Sequence, residues 1–423
     1  MKLEEMVLVS VDDHIVEPAT VFDHHLPARW KDRAPKLVIH PETGVQTWSW
    51  EGGDSASPCL NAVVTLPKEE WGFDPHTQAE VRPAAYDVDL RVRDMDANGV
   101  LASMCFPSFA GFAGNYFMNA QDRDLAFACL QAYNDWHIEE WAGSHPGRFI
   151  PLALPAIWDP ELSAAEVRRV ARKGVHAIGF SEDTVALGAP SIHSGAWDPF
   201  FAACVEEGVV LAIHIGSGFS AGNMPSYGEG APVDVSLVLP CWNALPCAAN
   251  FLTSKALQKF PDLRIALSEG GTSWIPGFLD RMERHHANQK WTGWDLGGLS
   301  PTETFQRHFL TCFVSDPSGL LLRDRIGIDN IAYEVDYPHS DCSWPGSPEE
   351  VWEHIVEARC TDEEIDKITW QNASRWLHFD PFAQIAREDG NVGALRARAG
   401  DVDLQTRSKA DYRAAYEQRH TSA

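Results

Sequence analysis

Eight short apolar runs recur along the chain, and a segment with helical periodicity follows each of them. Near-continuous apolar runs are typical of strands buried on both faces, and helices between such strands connect parallel neighbours. We therefore predict strands at residues 6–11, 100–106, 149–154, 176–180, 209–215, 263–267, 309–314 and 331–335.

The segments between these runs predict helices at residues 87–98, 122–141, 160–172, 197–207, 245–260, 274–286, 319–326 and 348–357. Eight strand–helix units favour an α/β fold of the (β/α)8 TIM-like barrel type. An open, doubly wound sheet is the alternative, but the G-x-G-x-x-G turn that usually follows its first strand is absent from the sequence.

Two segments do not fit the repeat. Residues 37–80 follow the first strand and contain TWSWEGGDS and LPKEEWGFDP, which predict an inserted hairpin and loop. Residues 384–423 are charged and rich in Arg and Ala, which predicts a helical or extended arm. We therefore assign residues 1–383 to the barrel and residues 384–423 to the arm. Residues 287–304 form another long aromatic connection, and such loops often cap a pocket.

Composition limits the partners. The chain has 60 Asp and Glu against 34 Lys and Arg, a formal charge of −26, which opposes binding to nucleic acid or to anionic membranes. None of the nine Cys forms a Cys-x-x-Cys pair, and no apolar run approaches the length of a membrane span. We expect a cytoplasmic protein that acts on a small molecule, with no nucleic-acid or membrane partner.

Ionisable side chains stand at the carboxyl ends of four predicted strands, where barrel enzymes keep their catalytic groups. Asp12 and His14 end the first strand two positions apart, so both can face the same side. The other strand-end groups are His214 after the fifth strand, Glu269 after the sixth, and Asp336, His339 and Asp341 after the eighth.

Imidazole and carboxylate groups are the ligands expected for Zn²⁺, Mn²⁺ or Fe²⁺. A single His in an apolar strand is more often a buried, hydrogen-bonded residue than a ligand. Four strands that deliver such groups to one rim are harder to explain by packing, because burying that much charge without a cation costs several kcal/mol per group. The sequence thus predicts a site for one or two divalent ions.

Aromatic residues follow several of the same strands. They are Phe106, Phe109, Phe112, Tyr227, Trp242, Trp274 and Trp344. Each can pack against the barrel rim instead of lining a pocket, but together they favour a bulky apolar or aromatic substrate. Phe106, Phe112, Trp242, Trp274 and Trp344 are the predicted substrate-binding residues.

In this order and spacing, the motifs VDDHIVEP, RVRDMDANGV, YNDWHIEEW, GVHAIGFSED, IHIGSG, SEGGTSWIPGFLDRMERHH and DYPHSD resemble the amidohydrolase-related (amidohydrolase 2) family. The similarity extends from about residue 7 to about residue 380 and includes the aminocarboxymuconate-semialdehyde decarboxylase-like branch. It implies Asp12, His14, His214 and Asp336 as metal ligands, and a homodimer or higher homo-oligomer.

The sequence departs from the family pattern at two ligand or catalytic positions. The first motif is Asp-x-His instead of His-x-His or Glu-x-His, which adds negative charge and favours a harder ion. The decarboxylases carry a His at the position of Glu269, where it acts as acid or base. A glutamate donates a proton near neutral pH only if its pKa is raised, so Glu269 is a candidate base or an additional ligand.

Two reactions fit these residues. In the first, a metal-activated water, deprotonated with help from Glu269 or Asp336, hydrolyses an ester, thioester or amide, and His339 protonates the leaving group. The alternative is non-oxidative decarboxylation of an aromatic or unsaturated acid. Arg91 and Arg93 are candidate carboxylate anchors for it, although pairing with Asp87 and Asp94 on a helix surface suits them better. A third, less favoured hypothesis is an inactive barrel that serves as a binding protein.

Overall fold

The computed structural model describes residues 1–42, 44–51, 53–56, 59–74, 76–218, 228 and 230–421. The strands of this part of the chain are β1 (Val9–Ile15), β2 (Lys36–Ile39), β3 (Gln46–Trp50), β4 (Gly53–Ala56), β5 (Ala102–Pro107), β6 (Phe149–Ile150), β7 (Leu152–Ala153), β8 (Ala177–Phe180), β9 (Val210–His214), β10 (Ile265–Ser268), β11 (Phe309–Phe313) and β12 (Ile331–Tyr333).

The α-helices of the described chain are α1 (Val88–Asn98), α2 (Arg123–Trp136), α3 (Pro160–Ala171), α4 (Asp198–Glu207), α5 (Val233–Val238), α6 (Ala244–Thr253), α7 (Ala256–Lys259), α8 (Ile275–Asn288), α9 (Pro301–His308), α10 (Pro317–Leu321), α11 (Arg323–Ile326), α12 (Ser347–Glu357), α13 (Asp362–Asp366), α14 (Asn372–Trp376), α15 (Val392–Arg398) and α16 (Lys409–Thr421). Each of the eight predicted helices overlaps at least one of them.

Each of the eight predicted apolar runs overlaps a parallel strand, and neighbours in the chain are neighbours in space. One sheet has the order β1-β5-β6 and the other β12-β11-β10-β9-β8-β7. The third predicted strand is divided by Pro151 into β6 and β7, because proline has no N–H for the ladder. This α/β arrangement is consistent with the predicted barrel.

Ladder hydrogen bonds between strands do not close the ring in the described chain. Beyond the last strand, however, two backbone bonds connect it to the first: the N–H of Asp336 donates to the Asp12 carbonyl (2.8 Å), and the N–H of His14 donates to the Tyr337 carbonyl (2.7 Å). These two bonds hold the carboxyl end of β1 beside the segment that follows β12, where the polar strand-end residues lie.

Apolar side chains fill both sides of the strands, as expected for near-continuous apolar runs. One cluster, which includes Val9, Met104 and Leu310, lies between the strands themselves. A second, larger cluster fills the layer between strands and helices; there Phe180 stacks with Phe200 of α4 at a centroid distance of 5.4 Å. The strands are therefore buried on both faces.

The inserted segment after β1 forms a small antiparallel sheet of order β2-β3-β4, one strand more than the predicted hairpin. Trp48 of β3 stacks on Phe109 with centroids 4.2 Å apart. The hydroxyl of Tyr116 donates to the Trp48 carbonyl. The insertion is thus packed against the connection that follows β5.

The C-terminal residues form two helices that pack on different parts of the protein. The N–H of Val392, at the start of α15, donates to the carbonyl of Met6 beside β1. Tyr412 of α16 is buried against Val63 and Leu66 of the insertion. The segment predicted as an arm is helical, while the proposed boundary at residue 383 stays a prediction.

Residues 287–304 lie at the opposite end of the strands from their carboxyl ends, because they connect helix α8 to the start of β11. Trp294 donates its indole N–H to the Leu252 carbonyl (2.9 Å), and Trp291 is 82% exposed. This connection does not cap the strand-end residues, contrary to the expectation from its length and aromatic content.

One helical stretch, Val233–Thr253, is by length and composition alone apolar enough to cross a membrane. Its second half is α6, which buries Cys247, Ala248 and Phe251 against the core. Helices that cover a core pass the same test, so this stretch alone does not indicate a membrane protein.

Candidate metal centre

The strand-end residues meet at the carboxyl ends of the parallel strands, a region we call the carboxyl edge. Asp12 and His14 come from β1 and His214 is the last residue of β9. All three side chains are almost completely buried, and each offers a ligand atom within 4.8 Å of the other two. The structure thus brings together three predicted metal ligands from two strands.

A second group at the carboxyl edge consists of Glu269, Asp336, His339 and Asp341. It is continuous with the first group: His14 Nε2 lies 2.9 Å from Asp336 Oδ1, and His214 Nε2 lies 3.4 Å from Glu269 Oε2. All five side chains predicted as metal ligands therefore belong to one cluster.

Several buried atoms of this cluster have no hydrogen-bond partner among the described residues. They are both carboxylate oxygens of Asp12, Nδ1 of His14 and Nε2 of His214. Buried polar atoms are nearly always paired, and leaving carboxylates unpaired costs several kcal/mol. Carboxylate and imidazole donors that converge in this way fit a divalent cation.

The tautomer of His214 leaves its Nε2 free to act as a ligand. Nδ1 lies 2.5 Å from the backbone carbonyl of Ile215, an acceptor only, so the ring proton is on Nδ1. Burial, together with the nearby His14, lowers the pKa of His214 to about 3. The imidazole is therefore neutral and presents a lone pair to the cluster.

His339 and Asp336 form a charged pair at the edge of the cluster. His339 Nδ1 lies 2.7 Å from Asp336 Oδ2 and 3.7 Å from Glu269 Oε1. Burial alone would lower the pKa of His339, but Asp336 and Glu269 raise it to about 10. Burial opposes ionisation of Asp336, yet His339 and His14 hold the pKa of this carboxyl below its usual value.

The other two carboxyls of the cluster behave differently. Burial, and then the charges of Glu334 and Asp336, raise the pKa of Asp12 well above its usual value. Burial and Asp336 likewise raise the pKa of Glu269. A bound divalent ion would offset these effects and favour the ionised form of both carboxyls.

Both acidic residues that follow strands β10 and β12 have left-handed backbone: φ is +57° at Glu269 and +60° at Asp336. Such conformations cost about 1–3 kcal/mol for a residue with a Cβ and persist only when neighbouring groups hold them. The N–H of Glu269 donates to the Glu334 carboxyl (3.1 Å), and the N–H of Asp336 donates to the Asp12 carbonyl. The turns aim both carboxyls at the cluster.

Asp13, between the two predicted ligands of β1, faces the other side of the strand, as alternation requires. Its carboxyl accepts hydrogen bonds from the hydroxyls of Ser10 and Ser103 and from the N–H of Tyr337. It supports the backbone behind the cluster and does not enter it.

Arg91 lies behind β1, in contrast to the surface position that we expected. Its side chain is fully buried and donates to the carbonyls of Ala84 (2.8 Å) and His14 (2.5 Å). Its guanidinium lies 3.8 Å from Asp13. Arg93 instead contacts Asp401 and the Arg398 carbonyl. Arg91 lies on the face of helix α1 that packs against β1. Its side chain therefore neither pairs with Asp87 nor reaches the carboxyl edge.

Two of the predicted substrate-binding aromatics contact the cluster. Phe112 stacks on His214 with ring centroids 3.8 Å apart and also lies 5.5 Å from His14. Phe106 is fully buried and meets His214 edge-on at 5.1 Å. Gly179 makes room for the loop that follows β5, because a Cβ at this position would clash with the Phe112 carbonyl.

The predicted tryptophans are spread more widely. Trp274 is buried and donates to the Gly270 and Gly271 carbonyls, while Trp344 donates to the Asp94 carbonyl behind the cluster. Trp242 is 56% exposed in the segment before α6. Tyr227 lies outside the described residues.

Three buried glutamates near the carboxyl edge were not among the predicted site residues. Glu334 accepts from Cys312 Sγ (2.5 Å) and adjoins the cluster, Glu182 accepts from the N–H groups of Gly216 and Gly218, and Glu17 holds the loop after β5. The sequence does carry a signal for two of them, since a charged residue inside or just after an apolar run marks a strand end. Glu334 stands in AYEVD and Glu182 in GFSED.

The amidohydrolase family (Amidohydro_2) matches residues 22–379, and the chain belongs to this family. It is a metal-dependent enzyme of the amidohydrolase superfamily, as the motifs predict. The enzyme prediction is thereby confirmed.

Individual relatives are similar along most of their length. Gamma-resorcylate decarboxylase of Polaromonas sp. (strain JS666 / ATCC BAA-500) is 23% identical over 329 residues, 74% of this chain and 92% of that protein. The structure of 5-carboxyvanillate decarboxylase from Sphingomonas paucimobilis has a TM-score of 0.60 at 21% identity, over 89% of this chain and 100% of that one.

A third relative was solved with ligands. Dihydroxybenzoic acid decarboxylase from Polaromonas sp. JS666, with bound manganese and the inhibitor 2-nitroresorcinol, has a TM-score of 0.58 at 18% identity, over 88% of this chain and 97% of that one. At these identities the structural similarity concerns the fold.

Proposed function

We propose that this enzyme is a manganese-dependent, non-oxidative decarboxylase of a hydroxylated aromatic acid. The observation that supports it best is the pair of His339 and Asp336, which places a protonated imidazole beside the predicted ligands. Decarboxylation needs a proton donor near the metal. His339 thus supplies the cationic acid that Glu269 does not, which changes the preference for hydrolysis drawn from the sequence.

Asp12, His14, His214 and Asp336 would hold the ion, with Glu269 beside it. A bound divalent ion supplies positive charge that attracts the carboxylate and the adjacent hydroxyl oxygen of such an acid. The manganese in the dihydroxybenzoic acid decarboxylase supports this choice over zinc or iron. The buried ligand atoms without partners support a bound cation at this position.

His339 carries the proton-transfer step. Asp336 holds Nδ1, so Nε2 is the ring nitrogen that gives up the transferable proton. The proton is delivered to the ring carbon that bears the carboxylate. The bond from this carbon to the carboxylate then breaks, its electron pair returns to the ring, and CO₂ leaves. Phe112, stacked on His214, provides an apolar wall for the ring.

Hydrolysis of an ester, thioester or amide stays the second candidate because of one observation. Glu269 Oε2 lies 3.4 Å from His214 Nε2, a position from which a carboxylate can accept a proton from water.

Homo-oligomeric assembly and a cytoplasmic location are further predictions from the sequence.

The test uses the manganese-loaded enzyme with two panels of probes. One contains hydroxylated aromatic acids such as 2,6-dihydroxybenzoate and 5-carboxyvanillate, and the other contains aryl esters, thioesters and anilides. Release of CO₂ with formation of the phenol, abolished in Asp336→Asn, is the expected result. Hydrolysis of the second panel without any CO₂ release would overturn the proposal in favour of a hydrolase.

A further inference from the structure

Tyr337 is the residue next to Asp336 and is bonded to β1 through its backbone. Its carbonyl accepts the N–H of His14 (2.7 Å), and its own N–H donates to Asp13 Oδ1 (3.1 Å). It therefore touches one proposed ligand covalently and another through a hydrogen bond, on the side of the cluster that faces the protein interior.

The side chain of Tyr337 is anchored as firmly as its backbone. Its hydroxyl donates to Asp94 Oδ2 (2.5 Å), and the Arg91 guanidinium lies 4.4 Å from the centre of its ring. Asp94 is in turn bound by Arg82, whose Nη2 lies 2.7 Å from Oδ1 and whose guanidinium stacks on Trp344 at 4.4 Å. The Tyr337 hydroxyl is thus hydrogen-bonded to a carboxylate that belongs to a buried ion pair.

These contacts have a common consequence for Asp336, whose backbone is left-handed. A strained backbone conformation of this kind persists only when neighbouring groups hold it. Tyr337, which follows Asp336, has hydrogen bonds at its backbone N–H, its carbonyl and its hydroxyl, and the Arg91 guanidinium covers one face of its ring. Tyr337 has only 3% exposure and no position at the carboxyl edge from which to touch a substrate.

We propose that Tyr337 is a positioning residue for the metal centre, which acts through its hydroxyl bond to the Asp94–Arg82 ion pair to fix Asp336 and His14 for coordination. The proposal rests on the metal site described above but not on the reaction. Groups that orient ligands in this way commonly change metal affinity about 10- to 100-fold when they are removed.

Tyr337→Phe tests the hydroxyl alone, because the ring and the backbone bonds remain. Tyr333→Phe is the matched control: Tyr333 is also buried and donates one hydrogen bond, to the Ser347 carbonyl (3.2 Å), but does not contact the cluster. Asp94→Asn is a second variant, which keeps the shape of the acceptor and removes its charge.

Full-length proteins are titrated with Mn²⁺ to obtain Kd, and the visible spectrum of the Co²⁺-loaded forms reports ligand geometry. We expect about a 10-fold higher Kd and altered Co²⁺ bands for Tyr337→Phe and Asp94→Asn. Tyr333→Phe should match the wild type even if its Tm falls equally. Unchanged Kd and bands in the first two variants, or equal changes in all three, would overturn the proposal. If the wild type bound neither ion, the metal site and this proposal would fall together.

Discussion

The ring of Phe112 lies almost parallel to the imidazole of His214, with centroids 3.8 Å apart and an interplanar angle of 25°. Because His214 keeps its proton on Nδ1, its free nitrogen faces the cluster while one face of the ring is covered by Phe112. A loop residue after β5 therefore shields a predicted ligand that comes from β9.

Replacing Phe112 by Ala should weaken substrate binding more than metal binding. An aromatic contact of this kind contributes about 0.5–1.5 kcal/mol beyond its buried area, so we expect KM to rise several-fold with the metal retained. Steady-state kinetics and metal analysis on the same preparations measure both. Phe112→Leu keeps an apolar side chain but removes the aromatic ring, so comparing it with Phe112→Ala separates the effect of stacking from that of side-chain volume. Loss of the ion with unchanged KM would assign Phe112 to the metal centre alone.

Asp336→Asn and His214→Ala should remove the ion. Each change removes a ligand group from the buried set, so the remaining groups hold a dication poorly. We expect metal per chain, measured by elemental analysis, to fall at least ten-fold, with activity lost. His176→Ala, which changes a histidine bonded to the Gly208 carbonyl at the start of β8, should leave the content unchanged. Full metal content in either variant would refute the ligand assignment.

Much of this site could be predicted because strand ends are encoded locally. Apolar runs that stop at a charged residue mark both the strand and its functional end, which is how His214, Glu269 and Asp336 were found. The spacing of Asp12 and His14 placed both on one face, and the structure agrees. The same rule placed Phe112 near the cluster because it follows β5 closely.

Contacts between distant segments could not be predicted in this way. Arg91 carries no local sign of burial, since its partner at His14 lies 77 positions away. The hydroxyl of Tyr337 meets Asp94 across 243 positions. Trp344 is an aromatic residue that follows a strand end, as a pocket residue would. Its indole N–H, however, donates to the Asp94 carbonyl and holds the side chain behind the cluster. Each of these positions depends on how whole elements pack.

Glu269→Gln should lower the rate and spare the ion. The change preserves shape but replaces a carboxylate oxygen that lies 3.7 Å from His339 Nδ1 and helps Asp336 to orient this proton donor. A general acid that is poorly oriented loses much of its contribution, so we expect the rate to fall by about 10²-fold. Metal per chain and kcat are measured beside the wild type. A fall in metal content, for example from two ions to one, would make Glu269 a ligand and favour hydrolysis.

Glu17→Gln should flatten the pH dependence of stability. Glu17 is 1% exposed and its carboxyl accepts from the N–H groups of Ser108 and Phe109 and from the hydroxyl of Tyr133. Burial nevertheless raises the pKa of this carboxyl from 4.5 to about 7. The folded state therefore binds the proton more tightly than the unfolded state.

The sign follows from that difference. The contribution of Glu17 to stability is fully present below about pH 4.5 and is lost as the pH rises to about 7, by an amount on the order of 3 kcal/mol. Glutamine resembles the protonated acid and does not titrate. We expect the decrease in Tm between pH 5 and pH 8 to be smaller in Glu17→Gln than in the wild type. The exposed Glu353→Gln serves as control and should reproduce the wild-type decrease. An equal or larger decrease in Glu17→Gln would mean that the three hydrogen bonds, and not burial, dominate at this carboxyl.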